Sequence, residues 1–322
     1  MLLEVRHITE YRYDRAVRES VIELRMQPRR TSGQTLVSFE LDVEPHAQIL
    51  SYADSWGNAV HHFDVPHLHD QLDIAARSIV ETHERADLPA ALTMDEWTAL
   101  ASDVVRGESW DFLAMHGFVE ETPALIAFIE AQGLLYLRER DPMSALRDLN
   151  RRLYEAFDYE AGVTEPDSPI DHALTEGRGV CQDFAHIMVA ICRRLGVPAR
   201  YVSGYLFTDQ ASHDRSTPGA THAWMEAYFP TLGWIGFDPT NDLVAGERHL
   251  AVAFGRDYSD VPPSQGVFKG EAESHLSVGV SVRETANPRT DFPRAGEPTL
   301  IAARRRTGAP SLIAQHQQQQ QQ

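Results

Sequence analysis

The sequence predicts an α+β fold: a cysteine-bearing central helix packed on an antiparallel sheet, preceded by a β-sandwich-like module and a helical segment. Three observations carry this. Residues 1–82 alternate apolar and polar side chains with the period of half-buried strands, and residues 83–160 change to helical spacing. A helix beginning at Cys181 is then apolar nearly all round, which places it inside a domain, and strand-like segments broken by turns follow it. The 322 residues allow two domains, or one with large additions.

In the N-terminal β-module, Leu3, Val5, His7, Thr9, Tyr11 and Tyr13 alternate with Glu4, Arg6, Glu10 and Arg12. Residues 21–26 and 36–43 continue in kind, and Trp56-Gly57-Asn58 supplies a turn before a strand over 59–65. In the helical connecting segment, 83–160, Thr93 is expected to cap a helix, with Glu96 three residues on. A longer helix over 143–157 carries Leu146, Leu149, Leu153 and Phe157 at helical spacing. Residues 161–283 form the core with its β continuation, in which 277–282 alternates cleanly. From 284 to 322 the periodicity is lost and the chain ends in a glutamine run, so a disordered tail is expected there.

Charge and cysteine usage narrow the function. With 29 basic and 47 acidic side chains, a net charge of −18 argues against nucleic acid and acidic membrane surfaces as partners. No apolar run approaches the ~18 residues of a membrane span, and no basic stretch precedes an apolar core at the N-terminus. A cytoplasmic location is the expectation. The two cysteines, Cys181 and Cys192, lie eleven residues apart on one helix, roughly 16 Å, whereas a disulfide needs α-carbons within about 7 Å. Both are expected to be free thiols, Cys192 as a core residue behind Phe184, Met188 and Ile191. His61, His62, His67 and His69 are not expected to bind metal: adjacent strand residues point to opposite faces, and exposed strand-edge histidines are the simpler reading. Nothing in the chain calls for a cofactor.

The chemistry gathers on three residues. Cys181 follows Gly177 and Gly179 and opens the apolar helix, with Asp183 in its first turn, Arg193 and Arg194 in its last, and Gly196 and Pro198 ending it. Unpaired N–H groups at such a helix head stabilise a thiolate and can hold an oxyanion. A thiol nucleophile also needs a base, and the base a carboxylate to fix its tautomer. His222 and Asp238 supply them from two strands, 221–229 and 234–240, joined around Pro230 to Gly233. The two share a face only if paired residue numbers sum to an even value; with Asp238 opposite Trp224, it lies diagonal to His222 and within reach. Trp224 then flanks the imidazole and shields it from water. Gln182 and Tyr159 are candidate side-chain donors to an oxyanion beside the Cys181 amide. The polar stretch 207–220 is long and aperiodic and reads as a lid, with Gly219 as a hinge.

Several of these segments are similar to a known family. Gly179-Val180-Cys181-Gln182-Asp183-Phe184-Ala185, Arg200 to Tyr205, His222-Ala223-Trp224-Met225-Glu226 and Trp234 to Thr240 resemble the core of the bacterial transglutaminase-like proteins, within the papain-like cysteine enzymes. Thr9 to Tyr13, Leu24 to Arg29 and Asp54 to Asn58 resemble the β-domain preceding that core, and Gly255 to Pro263 its C-terminal continuation. The likeness spans residues 1–283. It implies a papain-like transglutaminase core over 161–283, with Cys181 as nucleophile, His222 as base and Asp238 as orienting acid. It implies acyl chemistry on amide bonds through a thioester, resolved by water in a protease or amidase and by an amine in a transglutaminase. Hydrolysis of a peptide or peptide-like amide is the favoured expectation, because nothing reads as a second-amine site. A peptide-ligase-like protein is the partner the resemblance suggests. The alternative is a catalytically silent binding or scaffold protein of the same fold, which would not need the thiol. An acyl-coenzyme A transferase, which uses a similar triad, would need a basic stretch that this acidic chain lacks.

Overall fold

The computed structural model describes residues 1–84, 87–164, 168–209 and 212–286. Six strands open the chain: β1 (Leu2–Val17), β2 (Glu19–Leu24), β3 (Gln34–Glu44), β4 (Leu50–Ala53), β5 (Ala59–Val65) and β6 (His69–Thr82). Helices α1 (Asp95–Leu100), α2 (Asp103–Glu108), α3 (Pro123–Ala131) and α4 (Pro142–Ala156) follow, with short 3-10 turns between them. The remainder runs β7 (Asp158–Tyr159), α5 (Ile170–Glu176), β8 (Arg178–Gly179), α6 (Cys181–Arg194), β9 (Ala199–Leu206), β10 (His222–Phe229) and β11 (Gly233–Asp238). It closes with β12 (Leu243–Val244), β13 (His249–Gly255), β14 (Ser264–Lys269) and β15 (Ser274–Glu284). No helix of the described residues is long and apolar enough to cross a membrane.

The β continuation after the core divides between two structures. β12 and β13 join the core sheet, whose order is β12-β11-β10-β9-β13. β14 and β15 instead return to the N-terminal module and complete its two sheets, β14-β2-β5-β4 and β15-β1-β6-β3. The physical reason lies in β1: its alternation buries Val5, His7, Thr9, Tyr11 and Tyr13 on one side, and its outer edge needs a partner strand, which β15 supplies from Leu3↔Glu284 to Tyr13↔Ser274. The two inner faces meet over Tyr11, Ile22, Leu24, Phe63, Leu72 and Leu276.

Two other expectations change. Thr93 does not cap α1, which starts at Asp95 without a side-chain cap. Glu96, the acid of the expected capping pair, is buried and accepts instead from Thr231 N and Oγ1 at 2.9 and 3.0 Å, tying α1 to the turn between β10 and β11. The histidine group is not uniformly an exposed edge either. His61 is buried on β5, and His69 is buried with Nε2 2.8 Å from Ser20 Oγ and Nδ1 2.7 Å from the His67 carbonyl. The residues beyond 286, read as a tail, lie outside the described part of the chain.

α6 occupies the centre, as its apolar circumference requires. Phe184, Ile187, Met188 and Ile191 pack among the helices and against Met225, Ile235 and Phe237 of the core sheet, while Cys181 and Ala185 join the apolar core of the sandwich through Tyr201, Tyr205 and Leu250. At the C-terminal end, buried Arg193 donates to the carbonyls of Ala199, Ala114 and Arg256 at 2.6 to 3.1 Å, fixing the helix against β9. The head of α6 therefore sits where helix bundle, core sheet and sandwich meet.

Candidate active site

The approach to Cys181 is set by glycine and by Asp183. Gly177 ends α5 at φ 67°, in the left-handed region that favours glycine. Gly179 lies so close to Asp183 that an added Cβ would stand 2.6 Å from its Oδ2. That closeness lets Asp183, three residues into the helix, accept the Val180 N–H at 2.8 Å and the Thr164 hydroxyl at 2.6 Å. Burial pushes the Asp183 carboxyl up from its ordinary value, opposed by those hydrogen bonds. Cys181 then occupies the first position of α6 and is buried.

β10 and β11 pair antiparallel through Met225↔Phe237 and Phe229↔Gly233, so paired numbers sum to an even value and leave a three-residue turn. Asp238 falls opposite Trp224, and its Oδ2 lies 2.8 Å from His222 Nε2. Nδ1 of His222 is thereby left for the thiol, and Cys181 lies close enough to the ring to favour its protonated form. Burial pushes the imidazole down, but the charge and hydrogen bond of Asp238 outweigh it and raise His222 well above the usual histidine range. Burial pushes Asp238 up, and the paired His222 and His249 more than reverse that, so it stays ionised far below the ordinary carboxylate range.

Trp224 is buried and lies nearly parallel to His222, with ring centroids 5.9 Å apart and planes at 26°. Its indole fits because both flanking strands carry glycine. A Cβ on Gly204 would meet the ring at 2.7 Å, and one on Gly236 at 3.4 Å. Tyr159, on β7, has its hydroxyl 3.2 Å from Thr217 Oγ1, and burial together with the nearby Cys181 pushes its phenol up to about 12. It is therefore a hydrogen-bond donor at neutral pH. Gln182 is buried in the first turn of α6.

Two residues that sequence reasoning passed over complete the surroundings of Asp238. Asn241 Nδ2 donates to Oδ2 at 2.8 Å and His249 Nε2 reaches the same oxygen at 3.1 Å, while Thr240 N–H binds Oδ1 at 3.1 Å. Asn241, three residues past Asp238, carried a local signal as a turn-forming asparagine. His249 carried none, because it comes from another strand, β13. His222, Asp238 and His249 lie close enough to draw a metal ion, but Oδ2 is already the shared acceptor of three donors.

The stretch read as a lid is fastened to its surroundings in its described second half. Asp214 pairs with Arg248 at 2.7 Å, and Arg215 donates to the Tyr154 and Phe157 carbonyls at 2.7 and 3.1 Å. The Arg215 and Ser216 amides bind Asn241 Oδ1 at 2.8 and 3.3 Å, Thr217 meets Tyr159, and Gly219 accepts from Val280 N–H at 2.9 Å. Gly219 has φ 89°, as its position in a tight turn requires.

Comparison with known proteins places the chain in a family. The description "Transglutaminase-like superfamily" matches residues 135–239, and "Bacterial transglutaminase-like N-terminal region" matches residues 3–81. An uncharacterized protein of Mycobacterium leprae is 33% identical over 285 residues, spanning 88% of this chain and 99% of the relative. A protein-glutamine gamma-glutamyltransferase of Pseudomonas aeruginosa is 31% identical over 169 residues, 49% of this chain and 24% of that protein. A crystal structure from Cytophaga hutchinsonii, of a protein provisionally assigned as a cysteine protease, superposes with a TM-score of 0.66 at 22% identity, covering 93% of this chain and 96% of that one. It shares the fold. By family match, length and architecture alike, the chain belongs to the transglutaminase-like superfamily, with the N-terminal region of its bacterial members.

Proposed function

We propose that the protein is a thiol-dependent enzyme acting on amide bonds of peptides or peptide-like molecules. One observation carries this reading: Asp238 Oδ2 lies 2.8 Å from His222 Nε2, both buried, with Cys181 at the head of a buried helix on the other side of the ring, an arrangement that favours the charged form of both partners. In that arrangement the Cys181 sulfur attacks the amide carbonyl and forms the C–S bond. The helix-head N–H groups, with Tyr159 as a side-chain donor, receive the developing oxyanion. His222 gives its proton to the leaving amine as the C–N bond breaks, and a thioester remains. Water then attacks the thioester, His222 takes its proton, the C–S bond breaks, and the acid leaves as the Cys181 thiolate and protonated His222 are restored. Asp238 keeps the imidazolium oriented throughout and does not itself change protonation.

Hydrolysis, as a cysteine protease or amidase, is the reading we favour. Transfer to a second amine is the alternative, supported by the partial likeness to the gamma-glutamyltransferase. Both proceed through the same thioester. The test is intact mass after incubation with a panel of glutamine-containing peptides and simple amides, each with and without added primary amine. An acyl adduct on Cys181 that decays to acid in water is expected; decay only on addition of amine reassigns the protein to transfer. No adduct and no turnover across the panel would favour a silent scaffold.

A further inference from the structure

The Cys181–His222–Asp238 reading leaves one buried ring on Asp238 without a role. His249 sits at the start of β13, and its side chain is almost wholly buried. Its Nδ1 faces the backbone N–H of Gly246 at 3.3 Å. A backbone amide can only donate, so Nδ1 is the unprotonated nitrogen. The ring's proton is then on Nε2, 3.1 Å from Asp238 Oδ2. His222 addresses the same oxygen at 2.8 Å, and the two rings lie 6.1 Å apart with Trp224 packed edge-on to His249.

We propose that His249 is a positioning residue, which as the neutral Nε2–H tautomer fixes the orientation of Asp238 toward His222; this rests on the triad reading above. A carboxylate that met His222 alone would be free to turn about its χ2 torsion. With His249 and Asn241 on Oδ2 and Thr240 on Oδ1, it has one orientation. Neutrality matters as much as position. A second imidazolium on Oδ2 would compete with His222 for the same charge, whereas a neutral donor orients the carboxylate and leaves its charge to the base. Burial is what pushes the His249 ring down; the hydrogen bond and charge of Asp238 oppose it, and His222 and Arg248 add smaller downward pushes.

The test uses iodoacetamide as probe, so no substrate is required. Alkylation of Cys181 is followed by intact mass from about pH 5 to about pH 9, a range spanning the ordinary histidine and thiol values. The proteins are wild type, His249→Phe, His249→Gln and Asp238→Asn. His249→Phe should move the midpoint of the rate profile upward and cut the rate at about pH 6 by about tenfold, the scale of one hydrogen bond to a charged group. His249→Gln, whose amide N–H stands where Nε2–H stands, should restore most of the wild-type profile. A merely structural role would lower the rate uniformly without moving the midpoint. A His249→Phe profile superimposed on wild type, or uniformly lowered, overturns the proposal. If Asp238→Asn is also without effect, the triad reading falls as well; if Asp238→Asn shifts the profile and His249→Phe does not, only the role of His249 is lost. Should His249→Phe lose its melting transition, nitrogen-15 NMR of the wild-type protein decides. A neutral Nε2–H ring at His249 is expected near neutral pH, and a doubly protonated or Nδ1–H ring overturns the proposal.

Discussion

Cys181 and Cys192 lie on one helix and differ in what surrounds the sulfur. Cys192 is fully buried among apolar side chains, and burial pushes its thiol far above the ordinary value, leaving it unreactive. Cys181 instead stands at the head of α6 beside His222, whose ring the Asp238 carboxylate favours in its protonated form. At about pH 6.5, below the free-thiol value of about 8.5, iodoacetamide should modify Cys181 at least about tenfold faster than Cys192 in the folded protein. Peptide mapping after partial reaction checks this, and equal labelling would remove the argument. At this scale much was legible. The glycines before Cys181 and the strand placement of His222 and Asp238 announce themselves in local sequence. His249 does not, because no spacing rule links a histidine on β13 to a carboxylate on β11; only the strand order of the core sheet brings them together.

At the scale of elements, we propose that the loop between β9 and β10 covers the way to Cys181, because its described half meets Tyr159 and Asn241 beside the site. Cys181, His222 and Trp224 are all buried, so a reagent as large as a peptide needs the cover displaced. The cover is fastened by charge at one end, where Asp214 meets Arg248, and by Thr217 on Tyr159 near the site. Asn241 links it directly to Asp238, binding Ser216 Oγ at 2.6 Å and Asp238 Oδ2 at 2.8 Å through the same Nδ2. Asp214→Ala removes the charged fastening and touches none of the three reacting groups. It should speed modification of Cys181 by a bulky maleimide several-fold more than modification by iodoacetamide, since a half-buried ion pair contributes about 1 kcal/mol and an opening event responds in proportion. Equal acceleration of both reagents, or none, would place the path to Cys181 elsewhere. The aperiodic sequence of 207–220 marks a loop. Its anchors could not be read there, because each is a contact to a residue distant in the chain.

Across the whole molecule, the sandwich and the core are joined by buried rings that have to stay neutral. The return of β14 and β15 to β2 and β1 makes the two halves one connected structure, with pairings between residues more than two hundred positions apart that no local pattern encodes. His7 on β1 meets Tyr205 on β9 through Nδ1 at 2.9 Å, and full burial lowers it from 6.5 to about 3. His186 on α6 is stacked on Phe118 and Tyr201, accepts the Tyr258 N–H at 3.1 Å, and is lowered to about 4, again chiefly by burial. For both rings the folded value lies below the unfolded one, so the unfolded chain binds the proton first. Their contribution is complete above about pH 6.5 and is lost as pH falls toward the folded values. His222 works the other way and loses nothing in this window, because it is protonated in both states below 6.5. Asp183, raised by burial, also opposes the trend as acid is added. The discriminating quantity is therefore a difference between proteins. From about pH 6 to about pH 4.5, each neutral histidine should cost about 1.4 kcal/mol of stability per pH unit. His7→Gln should start with a lower Tm than wild type and lose less of it over that interval, as measured by scanning calorimetry in matched buffers. Parallel Tm curves for the two proteins would show that His7 is not kept neutral in the fold, and that acid acts on the junction between sandwich and core through other groups.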